Sequence, residues 1–282
     1  MHLKWIPDLS LAQNLESLIS EGCVSLSEIT PLTQSLNKLS LLNLKFCLEL
    51  SNIPDLFIVS RLKNPPTGIR SKYLREVILS GCSNLRVAPN ISCNVVWLYL
   101  DGTAIKELPL IEYPSRLVTL DLSNCSNPES VPERICELKC LESLNLSGCW
   151  KIESLPRDLG NLEALLNFKV DDNAIREEPP SIVRLNKQQE LSLRRCMGDE
   201  VMGLVLPPLS GLNILPDSLS RLSSLERLYL SKNNFESIPE SIKDLSKLYN
   251  LNISCCERLQ RLLELPSGQH VVAYHFCSLP NQ

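Results

Sequence analysis

Residues 141 to 164 read LESLNLSGCWKIESLPRDLGNLEA. Within them, Ser143-Leu144-Asn145-Leu146-Ser147 alternates polar and apolar side chains with period two. That alternation predicts a short strand with its leucines on a core face and its polar residues on the other. Cys149 closes the strand and bends the chain. Ile152 and Leu155 return to the core, followed by Pro156. Leu159 and Leu162, three residues apart, predict a turn of helix or 3-10 structure on the outer side. Leu141, Leu144, Leu146, Ile152, Leu155, Leu159 and Leu162 all point one way.

The pattern recurs. Equivalent closing positions are Cys23, Cys47, Cys82, Thr103, Cys125, Cys149, Asn173, Cys196, Asn233 and Cys256, with successive spacings of 24, 35, 21, 22, 24, 24, 23, 37 and 23 residues. Cys277 closes a worn final unit. One unit cannot bury its own apolar stripe, whereas a stack can. Strands of successive units then lie parallel, about 4.8 Å apart, in one sheet. The outer arcs are bulkier than the strands, so the stack bends with the sheet inside. The expected fold is an α/β leucine-rich-repeat horseshoe of ten to eleven units of roughly 23 residues, with a parallel sheet on its concave face.

Proline follows the closing residue by seven after Cys (47 to 54, 82 to 89, 125 to 132, 149 to 156) and by six after Thr103, Asn173 and Asn233. Two kinds of turn are therefore expected. A buried Asn satisfies backbone groups that a thiol is expected to leave to the chain itself. Residues 1–282 form a single repeat domain with irregular insertions near 57–73 and 197–215 and degenerate end units at 1–30 and 257–282. The first insertion carries Arg61, Lys63, Arg70 and Lys72 and no acid, which reads as a solvated loop or a contact arm for an acidic partner. The second holds two proline-leucine arcs without a strand between them, so the sheet is expected to be distorted near 198–215. The end units lack polar caps, so the chain is expected to be part of something longer.

Composition narrows the function. Hydrophobic residues are 44% of the chain and aromatic ones 5%, so leucine fills the core. The net charge of −4, from 28 basic and 32 acidic residues, offers no basic field for duplex nucleic acid. There is no apolar run of about 18 residues to span a membrane, and no basic-then-apolar secretory start. Of twelve cysteines, seven occupy the closing position, where Thr and Asn substitute. That pattern predicts buried free thiols as structural rungs and a reducing compartment. The three histidines, His2, His270 and His275, lie in the end units beside no plausible nucleophile, so no catalytic triad is expected. Cys136 and Cys140 lack a second ligand pair, so no metal site is expected. No G-x-x-x-x-G-K-[S/T] loop occurs, so no nucleotide or other cofactor is assigned.

The segments LKWIPDLSLAQNLESL (3–18), LYLDGTAIKELP (98–109) and LPRDLGNLEALLNFKV (155–170), with the repeated LSGC, resemble plant nucleotide-binding leucine-rich-repeat immune receptors. The flavour is that of receptors with a Toll/interleukin-1-receptor-type N-terminal domain. The resemblance implies a non-enzymatic module that recognises a pathogen effector or guarded host protein. It also implies contacts with other domains of the same receptor, restraint of its switch, and a cytoplasmic or nuclear location. A stand-alone repeat scaffold or adaptor, such as a ubiquitin-ligase substrate receptor, stays open beside it, as does a cysteine-based enzyme.

Recognition on such a fold falls to strand residues that face away from the core. Trp97, Tyr99 and Asp101 stand out, because two large aromatics on one outward face are costly to leave in water and are usual interface anchors. The expected patch is flanked by Lys45 and Lys169 or by Arg194 and Tyr229, with Asp171 and Arg227 on the same face.

Overall fold

The computed structural model describes residues 3–9, 11–29, 36–53, 73–113, 115–175, 179–194, 217–260 and the backbone of 270–272. Thirteen short strands run in chain order: β1 (Trp5–Ile6), β2 (Ser17–Ile19), β3 (Glu28–Ile29), β4 (Leu41–Asn43), β5 (Glu76–Ile78), β6 (Trp97–Tyr99), β7 (Thr119–Asp121), β8 (Ser143–Asn145), β9 (Asn167–Lys169), β10 (Glu190–Ser192), β11 (Arg227–Tyr229), β12 (Asn250–Asn252) and β13 (His270–Val272). Eleven of them form one sheet in the order β13 to β4 and then β2, each from β5 on beside its predecessor in the chain and β4 beside β2. Every described pair is parallel. β1 and β3 pair separately.

The strands are shorter than the five-residue alternation of the sequence: only its first three residues, Ser143–Asn145 in β8, keep the ladder pairing on both sides. The centres of β4 to β12 are buried: Leu42, Val77, Leu98, Leu120, Leu144, Phe168, Leu191, Leu228 and Leu251 stack in register beneath the sheet. The outer arcs change character along the chain. From β7 onward they hold 3-10 turns at Glu133–Glu137, Leu159–Asn161, Pro180–Arg184, Asp217–Arg221 and Glu240–Asp244. The recurrent proline opens them: the carbonyls of Pro132, Pro156, Pro179 and Pro239 accept the amides of Ile135, Leu159, Ile182 and Ile242. Before β7 the outer side is extended, with a parallel bridge between Ile91 and Ile111.

The closing residues line one buried column, and their chemistry differs from the sequence expectation. The thiols bond to the backbone rather than leaving it to itself. Cys47 Sγ donates to Ser20 O at 3.2 Å, Cys82 to Leu44 O at 3.1 Å, Cys125 to Leu100 O at 3.2 Å, Cys149 to Leu122 O at 3.1 Å and Cys256 to Leu230 O at 3.2 Å. Each acceptor lies three residues before the preceding closing position. Asn173 and Asn233 do the same through Nδ2, to Leu146 O at 3.1 Å and Leu193 O at 2.8 Å. Their second amide proton goes to Asp171 O and Leu230 O, which is the extra bond a thiol cannot make. Thr103 is too short to cross and bonds Leu100 O in its own unit.

The residue before each described closing position adopts the left-handed conformation, with φ between 56° and 75°. Its amide thereby still reaches the next strand while the chain turns, as Gly148 N does to Asp171 O and Phe46 N to Ser80 O. Glycine occupies this place at 22, 81, 102 and 148, but Phe46, Asn124, Asp172, Lys232 and Cys255 occupy it elsewhere, each at a cost of about 1–2 kcal/mol. Gly148 is needed twice over, since an added Cβ would lie 2.6 Å from Asn124 Oδ1.

All ten cysteines among the described residues are free, and Cys140 is exposed. Burial, first among the causes, pushes Cys82 and Cys149 up to about 12 and Cys47 to about 11. Thiolate is the reactive form. Maleimide labelling of the folded chain at about pH 8 is expected to modify Cys140 long before any of the column cysteines, read by peptide mass mapping. A column thiol labelled as fast as Cys140 would mean that one of them has a chemical role.

The insertions at 57–73 and 197–215 lie almost wholly outside the described residues, as do Cys196 and Cys277. On either side of them the sheet continues in register: Leu41 faces Glu76, and Glu190 faces Arg227.

Candidate recognition surface

Parallel register lines up the outward residues in rows across the sheet. The first row runs Ser17, Leu41, Glu76, Trp97, Thr119, Ser143, Asn167, Glu190, Arg227 and Asn250. The second runs Ile19, Asn43, Ile78, Tyr99, Asp121, Asn145, Lys169, Ser192, Tyr229 and Asn252. Lys45, Ser80, Asp101, Ser123, Asp171 and Arg194 lie two residues past their strands and continue the same face.

Three zones result. From β2 to β6 the face carries the large apolar side chains, with Ile19 59% and Trp97 41% exposed and Leu41, Ile78 and Tyr99 half-buried, among Ser17, Asn43 and Glu76. β7 and β8 carry small polar residues. From β9 to β12 the face is charged and internally bonded. The sequence-level patch is therefore two patches. Trp97, Tyr99 and Asp101 stand together on and just past β6. Lys169, Arg194 and Tyr229 lie three to five strands away, about 14–24 Å along the sheet. Lys45 faces neither group: its Nζ lies 5.0 Å from the Phe46 ring centroid.

The charged zone is a chain of pairs. Asp171, only 6% exposed, accepts Ser192 Oγ at 2.6 Å, the Arg194 amide at 2.7 Å and the Arg194 guanidinium at 2.9 and 3.1 Å. The guanidinium also lies over the Tyr229 ring at 5.5 Å. Glu190 takes Lys169 Nζ on one oxygen and Arg227 Nε on the other, both at 2.9 Å. Arg227 Nη1 then donates to Tyr249 Oη at 2.8 Å. The expected patch did not include Glu190, Tyr249 or Ile19. Tyr249 precedes its strand, and Ile19 belongs to a degenerate end unit, although its place four residues before Cys23 matches that of Tyr99 before Thr103.

Burial raises the Glu190 carboxyl, and the bonds and charges of Lys169 and then Arg227 outweigh it, so it sits below the ordinary range. A depressed folded value stabilises the fold above the unfolded titration, and this contribution fades as pH falls through the folded value. Glu190→Gln is therefore expected to remove part of the stability loss between about pH 5 and pH 3. Urea midpoints across that range test it. Parallel acid limbs in the two proteins would show that the pairs contribute nothing.

Among the described residues no group of three or more His, Cys, Asp or Glu is placed to hold a metal, and no helix is long and apolar enough to cross a membrane.

A family model for the leucine-rich repeat matches residues 116–138, 140–162 and 224–245, the units built around β7, β8 and β11. The TMV resistance protein N of Nicotiana glutinosa is 33% identical over 92% of this chain. In Arabidopsis thaliana, the disease resistance-like protein DSC1 is 35% identical over 98% of the chain, and the disease resistance protein RPP2B 36% over 97%. The chain is a leucine-rich-repeat domain related to plant disease resistance proteins. It spans 23% of the length of each of those three relatives. Among solved structures, a TDR receptor aligns with a TM-score of 0.56 at 21% identity, over 89% of this chain and 42% of that one. Internalin C2 of Listeria monocytogenes aligns at 0.50 and 18%, over 71% of this chain and 81% of that one. Both carry the same fold. The three zones of the domain's concave face are what its own sequence adds to that scaffold.

Proposed function

We propose that this repeat domain is the non-enzymatic recognition part of a plant immune receptor working in the cytoplasm or nucleus. Its concave face would bind a protein, either a pathogen effector or a guarded host protein. Contacts with the receptor's other domains would let that binding relieve restraint on the switch. The names of the relatives support the immune setting. The observation that carries the binding role is the apolar zone: Trp97, 41% exposed, stands beside Tyr99 and Ile78 on a face that folding does not require to be apolar. Aromatic anchors of this kind concentrate interface energy, each worth about 2 kcal/mol or more where it is a hot spot.

Trp97→Ala/Tyr99→Ala is expected to lose protein partners captured from plant extract while far-UV CD and the melting temperature stay unchanged. A fully folded double variant that captures the same proteins would refute the role of this face. A variant that unfolds would make the two rings structural.

A further inference from the structure

Two carboxylates of the apolar zone occupy the same rows as two of the charged zone, yet they are treated differently. Glu190 lies in the first row between Asn167 and Arg227, and its two oxygens are taken by Lys169 and Arg227. Glu76 lies in that row between Leu41 and Trp97. It is half-buried, and among the described residues its carboxylate has no hydrogen bond or ion pair. Asp171 and Asp101 both stand two residues past their strands. Asp171 is held by the guanidinium of Arg194 at the same place on the next unit. At that place beside Asp101 stands Ser123, whose amide goes to Asp121, and among the described residues the Asp101 carboxylate accepts the hydroxyl of Ser80 alone.

Two described cations beside these strands make other contacts. Lys45 lies over Phe46, and Arg75 donates to the carbonyl of Asn94. The phenol of Tyr99 is raised by burial and then by the charges of Glu76 and Asp121, so all three share one electrostatic neighbourhood. A half-buried carboxylate without a cation is a cost to the free protein. An indole and a phenol beside it offer ring faces that attract a cation once water is displaced.

We propose that the protein partner supplies the missing cation: a lysine or arginine side chain that bonds the Glu76 carboxylate against the rings of Trp97 and Tyr99. A second basic residue on the same segment meets Asp101, and flanking apolar residues cover Leu41 and Ile78. The ligand class is thus a basic-apolar polypeptide segment. This rests on the reading of the apolar zone as the binding face and specifies what that face selects.

The test uses the 282-residue chain and a random dodecapeptide display library. Peptides that bind the native chain are counter-selected against Trp97→Ala/Tyr99→Ala. The survivors are expected to be enriched in Lys and Arg next to apolar residues. Glu76→Gln, which keeps the shape and removes the charge, is expected to raise their Kd about tenfold to a hundredfold. Glu240→Gln on an outer arc serves as the control and is expected to leave Kd unchanged. Survivors without basic enrichment, or with Kd changed less than about twofold by Glu76→Gln, would overturn the cation while leaving the binding face in place. If no peptide distinguishes the native chain from the double variant, the binding face itself is lost and the proposal with it. A third arm concerns the basic insertion. Trp97 emission, read alone in a Trp5→Phe/Trp150→Phe background without peptide, would respond equally to Glu76→Gln and to neutralising Arg61, Lys63, Arg70 and Lys72 if the cation came from within the chain. That result would also overturn the proposal.

Discussion

Phe168→Ala is expected to destabilise the protein by about 3–5 kcal/mol. Phe168 is fully buried at the centre of β9, and it and Phe235 head the buried side chains by volume. Its register neighbours are Leu144 and Leu191, also buried. Removing the ring withdraws apolar surface from the core and leaves a void that flanking units cannot close, because each is fixed by ladder bonds to the next. Phe168→Leu restores the residue type found on both sides and is expected to cost about 1 kcal/mol. Urea unfolding followed by far-UV CD gives both numbers. In a stack whose units contact mainly their neighbours, the loss is local. The Ala variant should therefore separate into two unfolding steps, one on each side of β9. A single unchanged transition would mean that the site collapses around the void and that the core is looser than the structure shows.

The second large effect is expected at Asp171, where Asp171→Ala should cost on the order of 3 kcal/mol. The carboxylate is almost wholly buried and collects Ser192 Oγ, the Arg194 amide and the Arg194 guanidinium. Truncation leaves the buried Ser192 hydroxyl and the Arg194 amide without this acceptor. The guanidinium contributes least, since the Arg194 side chain is 47% exposed and water replaces the carboxylate. Arg194→Ala should accordingly cost only about 0.2–1 kcal/mol and lose that effect at high salt. Most of the Asp171→Ala loss should persist in salt, because the Ser192 and amide bonds are not screened. Thermal melts of both variants at low and high salt decide the matter. Equal losses that salt abolishes together would make this an ordinary surface ion pair.

The repeat was legible because its strongest signals are local. Leu144 and Leu146 with Cys149 define a strand and a bend within six positions, and the same interval elsewhere finds Leu98, Leu100 and Thr103. From that spacing the outward direction of Trp97 and Tyr99 followed directly. The pairs of the charged zone were hidden because they join residues of different units. Lys169 meets Glu190, and Glu190 meets Arg227, only once register is set between units, the second time across an insertion. The left-handed residue before each bend was also obscured. Glycine announces it at Gly148, whereas Lys232 and Phe46 hold it under the pull of the ladder and show no such mark. The thiol bonds escaped notice for a chemical reason: a weak donor was assigned no partner, although the column places a carbonyl within its reach.

The column has a bearing on how such a chain can change over generations. From Cys47 onward the described closing Cys and Asn side chains donate to a main-chain carbonyl of the unit before, Thr103 donates to one of its own unit, and every sequence supplies such carbonyls. No unit needs a particular neighbour to complete its bend, so Cys can follow Asn or Thr, and Asn can follow Cys. Recombination that duplicates, deletes or exchanges whole units would leave the interior bonds closed while rewriting the rows of Trp97, Glu76 and Glu190 in a single event. The inward half of the design is interchangeable, and the outward half is free to diversify.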